Sequence, residues 1–285
     1  RPRRKERARL ASGVTVATFR RPMAGEGRVR VHMAIVAAVL WSPVTWAQIN
    51  IEVEPGSGDE YQTVVTARRR AQDPLEAPRS VSAVASERAQ ELLARSVPDL
   101  LDSIPGAFVQ RTSAGAGLPF LRGLVGPDNL VLIDGIRYNN ATFRSGPNQY
   151  LGLLQPVMFE RLEVLRGPSS VLYGDGAMGG VVHLVTALPG PDVSRRMLSG
   201  DVAGSMGAAD VGRALETRLD VAHGSLRATL SGAFGQYDDL RAGGGERQVR
   251  TGFRTGGGAA RFRWNVRDDL VVDAAYLFSF LDIMG

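Results

Sequence analysis

Phe159-Glu-Arg-Leu-Glu-Val-Leu-Arg-Gly-Pro-Ser-Ser-Val-Leu-Tyr-Gly-Asp-Gly-Ala-Met-Gly-Gly-Val-Val-His-Leu-Val-Thr186 decides how this chain is read. Arg161 to Arg166 has the composition of a strand, and Gly167-Pro168 punctuates its end. A short helical turn is expected through Tyr173. Gly174, Gly176, Gly179 and Gly180 follow, and then a β-branched strand from Val181 to Thr186. So many glycines between two strands imply that another backbone comes very close. Gly174 to Gly179 also fits G-x-G-x-x-G, a phosphate-cradling turn. That motif works only when a helix opens from it, and here a strand follows. A soluble nucleotide-binding enzyme is therefore the weaker reading.

Upstream, Asn129-Leu-Val-Leu-Ile-Asp-Gly-Ile-Arg-Tyr138 reads as a hairpin, because Asp-Gly between apolar runs is the strongest short-range hairpin signal. Leu118 to Gly123 and Ala107 to Arg111 come before this hairpin in the chain. Two short helices precede them. Ser86 is a plausible N-cap for Glu87 to Ala94. Ser96 with Asp99 fits a capping box, with Pro98 in the first turn and Pro105-Gly106 as the stop. Val97, Leu100, Leu101 and Ile104 form the apolar face of the second helix.

In this order, over residues 60–188, the pieces resemble the plug domain of TonB-dependent outer-membrane receptors. The residues that carry the resemblance are Arg122, Gly123, Asp134, Gly135, Gly167, Pro168, Tyr173, Gly174, Gly179 and Gly180; Met178 and His183 depart from the usual pattern. The resemblance implies an α+β plug that gates a barrel, with neither catalytic residues nor a cofactor; it makes Ala107 to Arg111 the first long plug strand and Leu118 to Gly123 a short strand carrying Arg122 and Gly123. It implies that the β-prone segment Thr63, Val64, Val65, Thr66 is the TonB box, a strand offered to the TonB energy-transducing complex of the inner membrane. By the same resemblance Glu163 and Arg166 would face the barrel wall as a latch. The implied cargo is a small chelate of the siderophore or cobalamin class. His183 alone makes no metal site and is read as a packed residue.

Residues 196–281 alternate with period two. Leu198 to Met206, Leu215 to Val221, Leu226 to Phe234, Ala260 to Val266 and Val272 to Phe280 each set apolar residues against small or polar ones. Segments of this kind, apolar outward and polar inward, are the signature of a transmembrane barrel with a wet lumen. Tight turns at His223-Gly224-Ser225 and Arg267-Asp268-Asp269 alternate with a long polar loop, Asp238 to Gly257. Family barrels have about 22 strands around a plug. Five strands cannot close around it, so the chain reads as truncated.

Composition sets the remaining bounds. The 285 residues carry a net charge of +5. Residues 1–47 hold ten basic and two acidic side chains, which leaves 24 basic and 27 acidic in 48–285. The basicity belongs to the leader, so a nucleic-acid surface has no support. Cysteine is absent, which excludes disulfides and thiolate metal sites. Arg28 and Arg30, the apolar run Met33 to Trp41, and Thr45-Trp46-Ala47 form the three parts of a secretory signal. The expected organisation is a leader and signal peptide (1–47) and a periplasmic segment with the TonB box (48–70). The plug (71–190) and the N-terminal part of the barrel (191–285) complete it, in contact with outer-membrane lipid. A passive, adhesin-like barrel is the other membrane reading; it would function without residues 59–67.

Overall fold

The computed structural model describes residues 13–22, 80–111, 117–138, 149–190, 197–207, 210–267 and 269–284. The signal-peptide segment and Thr63–Thr66 lie outside the described residues. In chain order, β1 (Gly13–Pro22) comes first. An α+β unit follows with β2 (Val81–Ala85), α1 (Glu87–Leu92), α2 (Val97–Leu101), β3 (Ala107–Gln110), β4 (Leu118–Leu121), β5 (Leu124–Val125), β6 (Asn129–Ile133) and β7 (Ile136–Arg137). The unit is completed by β8 (Phe159–Arg166), α3 (Ser170–Tyr173) and β9 (Gly180–Thr186). The long strands are β10 (Met197–Met206), β11 (Arg213–His223), β12 (Leu226–Tyr237), β13 (Phe253–Arg267) and β14 (Leu270–Ile283).

The α+β unit is built on a five-stranded sheet of order β2-β8-β9-β6-β7, beside a small sheet β3-β4-β5. Its central strands are buried on both faces, which is why β6 and β9 read as continuous apolar runs. On one face Leu162, Val164, Val182 and Leu184 pack with Leu100, Leu101 and Ile104 of the α2 region. On the other, Leu130, Leu132, Leu165 and Val181 form a second cluster. The capping box is present: Asp99 Oδ2 accepts the Ser96 amide at 3.0 Å. The Asp134-Gly135 turn pairs Ile133 with Ile136, and both turn residues have positive φ, 49° and 82°.

Two local expectations are corrected. Ser86 takes helical angles (φ −64°, ψ −28°) and makes no side-chain cap, because its amide continues the β2–β8 ladder to the Glu160 carbonyl at 2.9 Å. The helix ends at Leu92, with Leu93 left-handed at φ 53°. Arg122 and Gly123 are not strand residues. They are the two-residue turn between β4 and β5, with φ 51° and 79°, and Leu121 pairs with Leu124 across it.

The long strands form an antiparallel sheet of order β1-β10-β11-β12-β13-β14. All five alternating segments are strands. The leader reading gave no strand to 13–22, yet this β-branched stretch pairs along β10, from Gly13 opposite Met206 to Pro22 opposite Met197. The long loop is also shorter than expected. It ends at Gly252, and Phe253 to Gly257 belong to β13. Gly256 and Gly258 stand directly opposite Phe280 and Phe278. A Cβ on either glycine would lie 2.8 Å from the facing ring, so the aromatic side chains of β14 cover the bare stretch of β13.

Candidate functional site

The site is the seam where the α+β unit meets the long sheet, and the sheet's polarity defines it. Thr229, Ser231 and Thr255 face the unit and are 4%, 5% and 3% exposed, whereas Leu230, Tyr276 and Phe278 on the opposite face are 60%, 68% and 53% exposed. A sheet that hides its hydroxyls and shows its leucines and aromatics is inverted relative to one facing water. No helix among the described residues is long and apolar enough to cross a membrane.

Among the described residues, three polar contacts across the seam stand out. At one, Asp134 of the β6–β7 turn accepts the Thr186 amide (2.9 Å) and hydroxyl (2.6 Å). Arg261 of β13 reaches the same place: its Nη1 lies 3.2 Å from Asp134 Oδ1, 2.9 Å from the Thr186 carbonyl and 2.8 Å from the Thr186 hydroxyl. Its Nε and Nη2 remain on the sheet with Asp273, at 3.3 and 3.1 Å. At the second, buried Gln155 donates to the Thr255 hydroxyl at 2.8 Å. At the third, Arg95 pairs with Asp210 at 2.6 Å and lies 4.4 Å from the centre of the Tyr237 ring, which stacks on Phe253. Between the contacts, Gly257 lets the sheet approach: a Cβ there would stand 2.4 Å from Met158 Cε. Arg227 also holds the connection between unit and sheet, donating to the Pro189 carbonyl at 3.1 Å.

The residues singled out in the sequence fall into two groups. The glycine-rich run is a knot within the α+β unit. The Gly167 amide donates to the Gly179 carbonyl at 2.8 Å, and the Ser169 amide to Ala177 at 2.7 Å. The Arg122 guanidinium lies against Gly167, whose φ is +104°. Arg137, which sequence reasoning passed over, donates to the carbonyls of Tyr173 (3.2 Å) and Asp175 (2.7 Å) and so holds the Gly174 turn. Glu163 and Arg166 belong to this internal group too. Glu163 is fully buried in β8, 2.8 Å from Arg161 Nε and 3.6 Å from His183 Nδ1. Arg166 donates to the Pro105 carbonyl and the Ser80 hydroxyl. Among the described residues, the ion pairs across the seam form at Asp134 and at Asp210. His183 is a packed residue whose Nε2 accepts the Gly135 amide at 3.0 Å.

Residues 73–181 match the family model of the TonB-dependent Receptor Plug Domain. The chain carries a TonB-dependent receptor plug domain. The curated proteins similar to this chain include the Vitamin B12 transporter BtuB of Vibrio vulnificus (strain YJ016). It is 33% identical over 156 residues, 54% of this chain and 24% of that protein. The Hemin receptor of Yersinia enterocolitica is 32% identical over 197 residues, 61% of this chain and 28% of that protein. The chain thus spans about a quarter of the length of the curated relatives it matches. Among solved structures, the hemophore receptor HasR of Serratia marcescens has a TM-score of 0.62 at 19% identity, covering 74% of this chain and 33% of that one. The copper transporter OprC has a TM-score of 0.59 at 20% identity, covering 72% and 30%. At these identities the structural likeness speaks to fold alone.

The α+β unit is therefore the plug domain, and the seam is its contact with the long sheet. On the loop between β12 and β13, the amides of Gly252 and Thr251 and the Arg247 guanidinium hold the Asp239 carboxyl below the usual carboxylate range. The loop is thereby closed across its base.

Proposed function

We propose that this chain supplies the plug and the first wall strands of a gated outer-membrane port for a metal chelate. In this reading the long sheet continues into a closed barrel of about 22 strands. Its apolar face meets lipid, and the plug blocks the lumen until TonB grips Thr63–Thr66 and draws on it. Transport, with no bond made or broken, is the whole activity. The observation that carries the proposal is the plug seated on the polar, buried face of a sheet whose other face is apolar and exposed. A soluble enzyme would have no use for such an inversion.

The cargo class rests on relatives. Cobalamin and haemin, named for the two curated relatives above, are both metal chelates, and an iron–siderophore complex shares that chemistry. The test is uptake of labelled ferric siderophores, haemin and cyanocobalamin by cells carrying the intact gene. Wild-type cells are expected to accumulate one of these, and deletion of residues 63–66 to reduce that uptake to the level of cells without the gene. Uptake that survives the deletion would instead support the passive barrel.

A further inference from the structure

We propose that Arg261 is a reusable latch of the plug, a single guanidinium divided between two bodies so that the charged groups on both keep hydrogen-bonding partners when they part. The inference rests on the plugged-port reading. The division is geometric. Nη1 serves the plug alone, at Asp134 and Thr186, while Nε and Nη2 serve the wall alone, at Asp273. A planar guanidinium with five fixed donors permits this; the compact ammonium of lysine does not.

Breaking a buried ion pair is normally expensive because one charge loses its partner. Here the guanidinium keeps its carboxylate and the plug's carboxylate keeps two neutral donors. When the plug leaves, Arg261 still has Asp273, which it already contacts through two nitrogens. Asp134 still accepts the Thr186 amide and hydroxyl. The latch therefore holds the plug while closed, and both its charged groups stay hydrogen-bonded when it lets go.

Its placement suits the role. Asp134 follows the last residue of β6 and Thr186 is the last residue of β9, and these parallel neighbours lie inside the sheet of the plug. Arg261 thus grips the ends of two interior strands at once, rather than a loose edge. The same turn is fastened behind by the Gly135 amide on His183. The Gln155–Thr255 contact is neutral, so it adds position without this electrostatic hold.

The test is ion conductance of the full receptor in planar bilayers, with wall folding checked by heat-modifiable migration. Arg261→Gln and Asp134→Asn are each expected to raise the steady leak about tenfold, the loss of one charge-assisted contact. The double variant is expected to leak no more than the leakier single one, because both remove the same contact. Arg261→Lys should leak at a level between wild type and Arg261→Gln. Arg267→Gln, at an exposed turn with its nearest carboxylate 3.7 Å away, should match wild type. Leak at the wild-type level in Arg261→Gln, or a double variant whose leak is the product of the two singles, would overturn the latch. Removal of residues 73–181 separates the two levels of the argument. A wide steady pore leaves the plugged-port reading standing whatever Arg261 does, and a closed membrane overturns both.

Discussion

Gly179→Val is expected to unfold the plug while leaving the long sheet in place. A Cβ at this position would stand 2.3 Å from Asn129 Oδ1, 2.8 Å from Leu124 Cβ and 3.0 Å from the Leu121 carbonyl. None of these is the free end of a long side chain. Asn129 is 2% exposed and its amide donates to the carbonyls of Pro119 and Leu124, so it has no room to turn away. The valine must therefore push β4 and the β4–β5 turn off β9, at about 3 kcal/mol or more. Gly190→Ala is the matched control, since nothing lies within 4 Å of its added carbon. Pulse proteolysis of the solubilised receptor reads the difference. Cleavage of the plug should become rapid in Gly179→Val and remain slow in Gly190→Ala. Equal resistance of the two variants would mean that the close approach inferred from the glycine cluster is not what holds the plug.

Arg161→Met should be nearly as damaging, for an electrostatic reason. Glu163 has no exposed side-chain surface, and Arg161 is its close cation, 2.8 Å away and itself 19% exposed. Removing the arginine leaves a carboxylate in the core beside His183, at a cost of about 3–5 kcal/mol. Replacing both partners with apolar residues, Arg161→Met with Glu163→Leu, should recover most of that loss, because no charge remains to be desolvated. Urea unfolding of the plug, followed by protection of its amides from hydrogen exchange, measures both variants. A double variant as unstable as the single one would show that the pair acts by packing rather than by charge compensation.

Much of the plug was legible from local sequence because its devices are local. Asp134-Gly135 demands positive φ between two apolar runs, and Ser96 with Asp99 caps a helix within four residues. The five long strands were legible from period two. What escaped depends on distant chain. Gly256 and Gly258 carry no side chain to show alternation, and the rings that cover them come from Phe280 and Phe278 on the next strand. Ser86 carries a good cap signal, but a backbone bond to Glu160 holds it in the sheet's continuation. Arg261 looked like one more lumen-facing polar residue, and only the fold brings Asp134 to it, 127 positions away in sequence. Glu163 and Arg166 stand in the segment that identifies the plug. Arg161 beside Glu163, and Pro105 and Ser80 beside Arg166, come from the plug itself.

In the proposed function the port opens from the periplasm through Thr63–Thr66. The chain has no cysteine, so Val64→Cys provides a single thiol for disulfide trapping in intact cells against a single-cysteine TonB. A crosslinked receptor–TonB band is expected at position 64, and it should disappear when the cysteine is moved to Ser225, on a turn within the long sheet. A receptor that inserts normally in the outer membrane, yet gives no band at position 64, would contradict it.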